Sequence, residues 1–151
     1  MTTLAKADWS TLIPHAGSMC LLDEVIAWSD TALHARSASH RRADNPLRAH
    51  GVLRALHACE YGAQAMAVHG GLLARARGGR AAPGYLVALR GVELARARLD
   101  DLPGWLDVHA ECLASGDAGW QYAFRVEHAG DAVASGRSMV MLAAGVTPAS
   151  G

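Results

Sequence analysis

The stretch of sequence that decides the fold reads HACEYGAQAMAVHG and spans residues 57–70. It lies within a longer segment, 52–76, that has no proline and is rich in alanine, leucine and methionine. This composition predicts one long helix over 52–76, with the Gly70-Gly71 pair as its expected weak point. Because small residues leave little bulk on any side, we expect a sheet to pack closely against several faces of this helix.

The segments on either side of the predicted helix alternate as strands do. Before the helix, 19–28 and 31–39 predict a hairpin, and the polar residues 40–51 predict a loop. After the helix, a second loop at 78–84 leads into four predicted strands. These strands are placed at 85–98, 105–113, 120–128 and 132–142.

The order of the predicted elements defines the fold class. Two strands, one helix and four further strands predict an α+β fold with one antiparallel sheet, because the later connections are too short for parallel pairing. The length of 151 residues fits a single domain over 1–151, in which 143–151 form a loose tail.

The formal net charge of zero conceals an uneven distribution along the chain. From Arg36 to Arg98, eleven arginines stand against three acidic residues, a net charge of +8, and the remaining residues carry −8. A zero overall charge and arginines without interleaved aromatic residues argue against a nucleic-acid-binding protein. The basic middle of the chain favours an acidic protein or a phosphorylated ligand as the partner.

The sequence predicts a cytoplasmic protein. No apolar run reaches the roughly 18–20 residues that span a bilayer, and the first fifteen residues contain no apolar core of a secretory signal. The three cysteines, Cys20, Cys59 and Cys112, are odd in number and match no zinc-binding spacing. We therefore expect reduced thiols that pack as small hydrophobic residues, and no metal.

Glu60 is the acidic residue that the predicted helix presents among small neighbours, and no other acidic residue lies between Asp44 and Glu93. If it is buried there, its protonated form is favoured, as a general acid needs. If it is exposed, it serves only as a solubilising residue. At helical spacing His57, Glu60 or Tyr61, and Gln64 share one face.

Three segments resemble the 3-hydroxyacyl-acyl-carrier-protein dehydratases, which have a hotdog fold. They are IPHAGSMCLLDEV (13–25), EYGAQ (60–64) and ASGRSMVML (134–142). The chain is also similar to a divergent hotdog branch associated with aryl polyene and polyketide-type clusters. The shared pattern is SH…NPLR…G.L…EY.AQAMA.HG, beginning at Ser39.

The resemblance implies a sheet wrapped around a central helix and an enzyme that removes water from a (3R)-3-hydroxyacyl thioester. The product would be the trans-2-enoyl thioester of fatty-acid or aryl polyene biosynthesis. Glu60 would be the catalytic carboxyl. The family's catalytic histidine belongs to a Gly-His-Phe-Pro motif whose position corresponds to Pro46 here, so the alternatives are His40 and His50. We prefer His40, because it belongs to the pattern of the branch.

The resemblance also implies how substrate is held. The candidate substrate-binding residues are Asn45, His50, Ala55, His57 and Gln64, with the backbone amide near Ala55 holding the thioester oxygen. The substrate would arrive on an acyl carrier protein or as an acyl-CoA thioester. No cofactor is expected beyond the phosphopantetheine arm of the carrier.

The resemblance implies a homodimer or higher oligomer, because each site would combine residues from two chains. A hetero-oligomer with another hotdog protein is the other arrangement. Two further functions stay open at this point. One is an acyl thioesterase in which Glu60 activates water, and the other is a non-catalytic subunit that shapes a hotdog partner.

Overall fold

The computed structural model describes residues 3–79 and 84–142 as seven strands and two α-helices. In chain order these are β1 (Leu4–Ala5), α1 (Lys6–Trp9), β2 (Glu24–Trp28), β3 (Ala32–Ser37), α2 (Ala58–Ala76), β4 (Gly84–Leu94), β5 (Leu106–Ser115), β6 (Gly119–His128) and β7 (Asp131–Leu142). A 3-10 turn, Ala55–His57, leads directly into α2.

The seven strands form one antiparallel sheet in the order β1-β2-β3-β5-β6-β7-β4. β3 pairs with β5 although α2 and β4 lie between them in the chain, so the chain leaves the sheet as the central helix and then returns to it. β4 lies at the end of the strand order, where it pairs with β7. The prediction of an antiparallel sheet with one long central helix is confirmed.

The sheet wraps around α2, which contacts β3, β5, β6 and β7 and buries twelve of its nineteen residues. Side chains that point inward alternate along the strands with outward ones, as the two-residue period of a strand requires. The inward set on β5 and β6 is Leu106, Val108, Ala110, Tyr122, Phe124 and Val126. Neither helix of the described residues is long and apolar enough to cross a membrane.

Two glycines of α2 allow aromatic rings to lie directly on the helix backbone. A Cβ atom on Gly62 would lie 2.7 Å from the ring of Phe124, and one on Gly70 would lie 2.6 Å from the ring of Trp120. Interior packing leaves no room for such contacts, so these positions must stay without a side chain. The prediction of a weak point at Gly70-Gly71 is wrong, because Trp120 packs against Gly70 and α2 continues without a break through both glycines.

The N-terminal part of the chain differs most from the prediction. β2 begins later than predicted, at Glu24, because Gly17–Met19 forms a 3-10 turn. The short elements β1 and α1 were not predicted. β4 ends earlier than predicted, at Leu94, and the expected tail at 143–151 lies outside the described residues.

Candidate active site

Glu60 lies in the first turn of α2 and contacts His57, the N-cap residue of that helix. The Nδ1 atom of His57 lies 2.8 Å from Oε2 of Glu60. In a capping box, a glutamate at this position accepts from the backbone amide of the N-cap residue. Here that amide donates instead to the carbonyl oxygen of Arg54 at 3.0 Å. The carboxylate therefore pairs with the imidazole.

The pair is open to solvent within one subunit. Half of the Glu60 side chain (50%) and 32% of the His57 side chain are exposed. The expectation that Glu60 is buried in the wrapped helix is wrong for the single chain. The next residue, Tyr61, is fully buried, so the sheet covers the Tyr61 side of α2 and leaves the Glu60 side uncovered.

The thiol next to Glu60 is held protonated. Burial raises the pKa of the Cys59 thiol, and the neighbouring Glu60 carboxylate raises it further. A thiol in this state is a poor nucleophile. The chemistry available at this end of α2 is therefore the acid–base chemistry of a carboxyl and an imidazole.

His40 is fully buried in a 3-10 turn, Ser39–Arg41, at the start of the predicted loop. Its Nε2–H donates to the carbonyl oxygen of Leu102 at 2.9 Å, which leaves Nδ1 as the nitrogen without a hydrogen in the neutral ring. Nδ1 is buried and has no hydrogen-bond partner among the described residues. Burial lowers the pKa of His40, although the bond to Leu102 opposes this effect. The ring is therefore neutral near pH 7, and its free lone pair can accept a proton.

The turn at 102–104 holds this imidazole in place. Its three consecutive carbonyl oxygens accept hydrogen bonds from Nε2 of His40, Nε2 of His128 (2.7 Å) and Nε of Arg41 (3.0 Å). Since a carbonyl oxygen can only accept, the turn also fixes which nitrogen of His40 carries the hydrogen. The orientation and the tautomer of His40 are thus both set by backbone atoms.

The loop that carries His40 is tied to the central helix through Tyr61. The hydroxyl groups of Ser39 and Tyr61 lie 2.7 Å apart. Asn45 donates from Nδ2 to the carbonyl oxygen of Ser39 (2.9 Å) and to the Tyr61 hydroxyl (3.1 Å), and its Oδ1 accepts from the amide of Leu47 (2.9 Å). Asn45 was predicted to bind substrate. Its polar atoms are instead engaged within the chain, where they anchor the loop.

The three candidate histidines take different places around Glu60. His57 is paired with it, whereas neither His40 nor His50 forms a hydrogen bond or ion pair with Glu60 among the described residues of one subunit. His50 is exposed and has a φ of 53°, in the left-handed region that a loop turn requires. The single chain therefore presents an open carboxyl–imidazole pair and, not bonded to it, a buried imidazole.

Two other residues that were predicted to contact substrate, Gln64 and Ala55, are also engaged within the chain. Gln64 is buried, and its Oε1 accepts from the amide of Leu21 (2.8 Å) while its Nε2 donates to the carbonyl oxygen of Met19 (2.6 Å). It therefore anchors the segment before β2. The amide of Ala55 donates to the carbonyl oxygen of Ala97 at 3.0 Å, so it is not free to hold a thioester oxygen.

The next amide along the chain, that of Leu56, differs from the amide of Ala55. Within the described part of the chain, the backbone N–H of Leu56 has no acceptor. It lies in the 3-10 turn before α2, where the first amides of a helix point outward and carry partial positive charge. The side chain of Leu56 is also exposed (57%), so the surface beside this amide is apolar.

Some residues that shape the site were missed. Ser39 precedes His40 in the chain, and Tyr61 follows Glu60. A hydroxyl group at a core position of the helix was the feature of the sequence that could have indicated their role. The turn at 102–104 acts through backbone carbonyls, which have no side-chain signature in the sequence. Over residues 3–79 and 84–142, no three His, Cys, Asp or Glu side chains converge to hold a metal ion.

Comparison with known proteins gives one family match. A family model described as ApeP-like, ApeP dehydratase, matches residues 7–147 of the chain. A search of curated proteins found no match.

Three solved structures illustrate the similarity in fold. The chain is similar to the dehydratase heterocomplex ApeI:P from Xenorhabdus doucetiae, with a TM-score of 0.79 and 23% identity over 88% of this chain and 89% of that chain. It is also similar to a hypothetical thioesterase with coenzyme A from Streptococcus pneumoniae (TM-score 0.62, 14% identity, 91% and 96% covered). AziG from S. sahachiroi gives a TM-score of 0.55 with 20% identity over 80% and 90% of the chains. At these identities the likeness establishes the fold.

Proposed function

The chain belongs to the ApeP-like family of dehydratases, and from this premise we propose the reaction that it catalyses. The substrate is a (3R)-3-hydroxyacyl thioester on the phosphopantetheine arm of an acyl carrier protein, and the products are the trans-2-enoyl thioester and water. His40 accepts the proton from Cα. Glu60 of the partner subunit donates a proton to the departing hydroxyl. The elimination is redox-neutral, so it needs no redox cofactor.

The observation that carries this proposal is the state of the His40 ring. A general base needs a neutral ring, a free lone pair and a fixed orientation. Burial favours the neutral ring, the bond to Leu102 leaves the lone pair on Nδ1, and Nδ1 has no partner among the described residues. An unpartnered polar atom in a buried position is costly unless a ligand or partner uses it. His40 therefore fits the role of the histidine that the family pattern places near Pro46.

The amide of Leu56 is the donor that we propose for the thioester oxygen. Removal of the α proton places negative charge on that oxygen, and a preorganised N–H stabilises the charge without reorganisation. The start of α2 adds its positive dipole end. This proposal moves the role from Ala55, whose amide is already bonded, to the neighbouring residue.

A partner subunit is part of the proposal, because no hydrogen bond or ion pair joins His40 to Glu60 among the described residues of one chain and the resemblance implies sites built from two chains. β4 supports it, since this eleven-residue strand ends the sheet and has no strand on its outer side among the described residues. Three of its leucines are exposed, Leu86, Leu89 and Leu94. A long edge strand with apolar side chains is suited to pairing with another chain. The partner is a second copy or, as in the ApeI:P heterocomplex, another dehydratase chain.

The charge around the site supports an acidic carrier protein as the substrate donor. The segment from His40 to Arg54 contains four arginines and one acidic residue, Asp44. In the chain it runs from the proposed base to the residue before the 3-10 turn that leads into α2. Such a patch raises the rate of encounter with an acidic protein, and added salt weakens the effect.

A second candidate, acyl thioester hydrolysis, is favoured by one observation. Glu60 is exposed beside His57, and a carboxylate–imidazole pair in water could activate a water molecule. The proposed elimination and this hydrolysis give different products, an enoyl thioester and a free thiol.

The test is an assay of the purified chain, alone and after mixing with an ApeI-type subunit, on 3-hydroxyacyl thioesters of carrier protein and of coenzyme A. Mass spectrometry of the acyl carrier reports loss of water, and a thiol-detecting dye reports hydrolysis. The proposal expects water loss without thiol release, and faster turnover on the carrier protein than on coenzyme A. Thiol release without enoyl product would establish the thioesterase instead. Absence of both reactions, in the chain alone and in the mixture, would leave a non-catalytic subunit.

A further inference from the structure

We propose that His57 is a positioning residue for Glu60, and that it stabilises the carboxylate that forms when Glu60 gives up its proton. The inference rests on the proposed dehydration and deepens it. His57 Nδ1–H holds Oε2 of Glu60, which leaves Oε1 as the oxygen that carries and donates the proton.

At the start of α2, the side chain of His57, and not its backbone amide, is the group that contacts Glu60. The backbone amide of His57 donates to the carbonyl oxygen of Arg54, so it cannot serve Glu60 as an N-cap amide would. The two residues are three positions apart on the helix, where side chains face each other. Neither side chain has another ion-pair partner within 4.0 Å in the described part of the chain. The imidazole is therefore the group that orients the carboxyl.

The movement of protons in the reaction explains why the contact between His57 and Glu60 would matter for turnover. The Cα–H bond breaks, its proton goes to Nδ1 of His40, and its electron pair forms the new double bond as the C–O bond breaks. The departing oxygen takes the proton from Oε1 of Glu60 and leaves as water. For this step Glu60 must carry a proton, and it becomes a carboxylate once the proton has left.

A hydrogen bond to a charged acceptor is stronger than one to a neutral acceptor. The His57–Glu60 bond therefore gains strength as the proton leaves, and it stabilises the transition state more than the bound substrate. Such an interaction raises kcat and leaves KM nearly unchanged. An ordinary exposed pair on a helix would stabilise the fold slightly and would have no effect on turnover.

The experiment compares two amide replacements in the active protein, with its partner chain present if the partner is required. Asparagine places its amide close to the position of Nδ1, whereas glutamine places it close to that of Nε2. We expect His57→Gln to lower kcat about tenfold with little change in KM, and His57→Asn to stay within about twofold of wild type. His34→Gln is the control, because His34 also pairs with a carboxylate, that of Asp107 (2.8 Å), but lies on strand β3 and not at the start of α2.

Equal turnover in the two His57 variants, or a change in KM alone, would overturn the inference. Glu60→Gln separates this result from failure of the proposed function, since full activity in that variant rejects the dehydration mechanism itself. Nitrogen-15 NMR of His57 gives a second readout that needs no activity. The ring should carry its hydrogen on Nδ1 in the wild type and shift towards the Nε2 form in Glu60→Ala. The same tautomer in both proteins would also overturn the inference.

Discussion

The hydroxyl of Ser39 lies 2.7 Å from the phenolic hydroxyl of Tyr61, and both residues are buried. Ser39 precedes His40 and Tyr61 follows Glu60, so this hydrogen bond joins the loop that carries the imidazole to the first turn of the central helix. Asn45 adds a second bond to the same phenol. The position of His40 relative to α2 is therefore fixed within one subunit.

Replacing Tyr61 with phenylalanine removes the group that holds this loop. We expect Tyr61→Phe to lower the free energy of unfolding by about 1–2 kcal/mol, because two buried polar groups lose a partner. Dehydration should fall at least about tenfold, because His40 loses its fixed position. Tyr122→Phe is the matched control, since that hydroxyl is also buried and bonds to His69 in the second half of α2. Its stability loss should be similar, with turnover nearly unchanged. Equal turnover in the two variants would contradict the role of the loop.

The buried histidines predict how stability depends on pH. Burial lowers the pKa of His40 and of His69 below the ordinary value of 6.5. The unfolded chain therefore binds more protons than the folded chain below pH 6.5, and stability falls as the pH is lowered through and below that value. Each histidine contributes a slope of up to about 1.4 kcal/mol per pH unit.

Urea unfolding between pH 7.5 and about pH 5 measures this slope. His69→Gln removes one titrating ring and keeps an amide near the bond to the carbonyl oxygen of Ser29, so it should reduce the slope. Stability that is constant or rises on acidification would show that these rings are not held neutral in the fold.

The contact between Gly62 and Phe124 predicts that Gly62→Ala destabilises the wild type but stabilises a protein that lacks the Phe124 ring. A Cβ on Gly62 would lie 2.7 Å from the Phe124 ring, and Gly136 confines the other end of that ring. Gly62→Ala should therefore cost about 1–2 kcal/mol net, although alanine favours the helix by about 1 kcal/mol. In a Phe124→Ala background the same change should become stabilising. Thermal unfolding of the four proteins measures the coupling, and a stabilising effect in both backgrounds would contradict the packing.

The edge strand β4 predicts which substitution weakens the association of this chain with a partner chain. A lysine at Leu89, whose side chain is 40% exposed, should weaken self-association or binding of an ApeI-type chain at least tenfold, since charge on an edge strand blocks pairing. Leu113→Lys is the control, because Leu113 is similarly exposed (45%) but lies on the interior strand β5. Analytical ultracentrifugation measures both. Equal association of the two variants would place the interface elsewhere.

The fold could be predicted because its signals are local. Alternation in β5 and β6 and small residues along α2 directly reflect which faces are buried. The error at Gly70 has a physical reason: helix propensity is local, whereas the ring of Trp120 comes from a strand fifty residues later in the chain. Similarly, the start of β2 depends on Gln64, which bonds to the segment before it.

The candidate site was only partly predictable. The pattern around Glu60 and His40 offers candidate residues, but it does not show how exposed they are. Whether a residue of α2 faces the sheet or solvent depends on the rotation of the helix, which the small residues leave open. The bond from Ala55 to Ala97 is a backbone contact between distant segments, so no side-chain pattern indicates that this amide is occupied.

The central claim is that His40 removes a proton and Glu60 supplies one. The most direct measurement is the rate of water loss from a 3-hydroxyacyl carrier protein with the wild type, His40→Gln and Glu60→Gln, each checked for folding by circular dichroism. Glutamine at residue 40 can still donate to the carbonyl oxygen of Leu102, so the turn is kept while the base is removed. We predict that each variant folds and loses at least about a hundredfold in rate. Wild-type turnover by either folded variant would contradict the account.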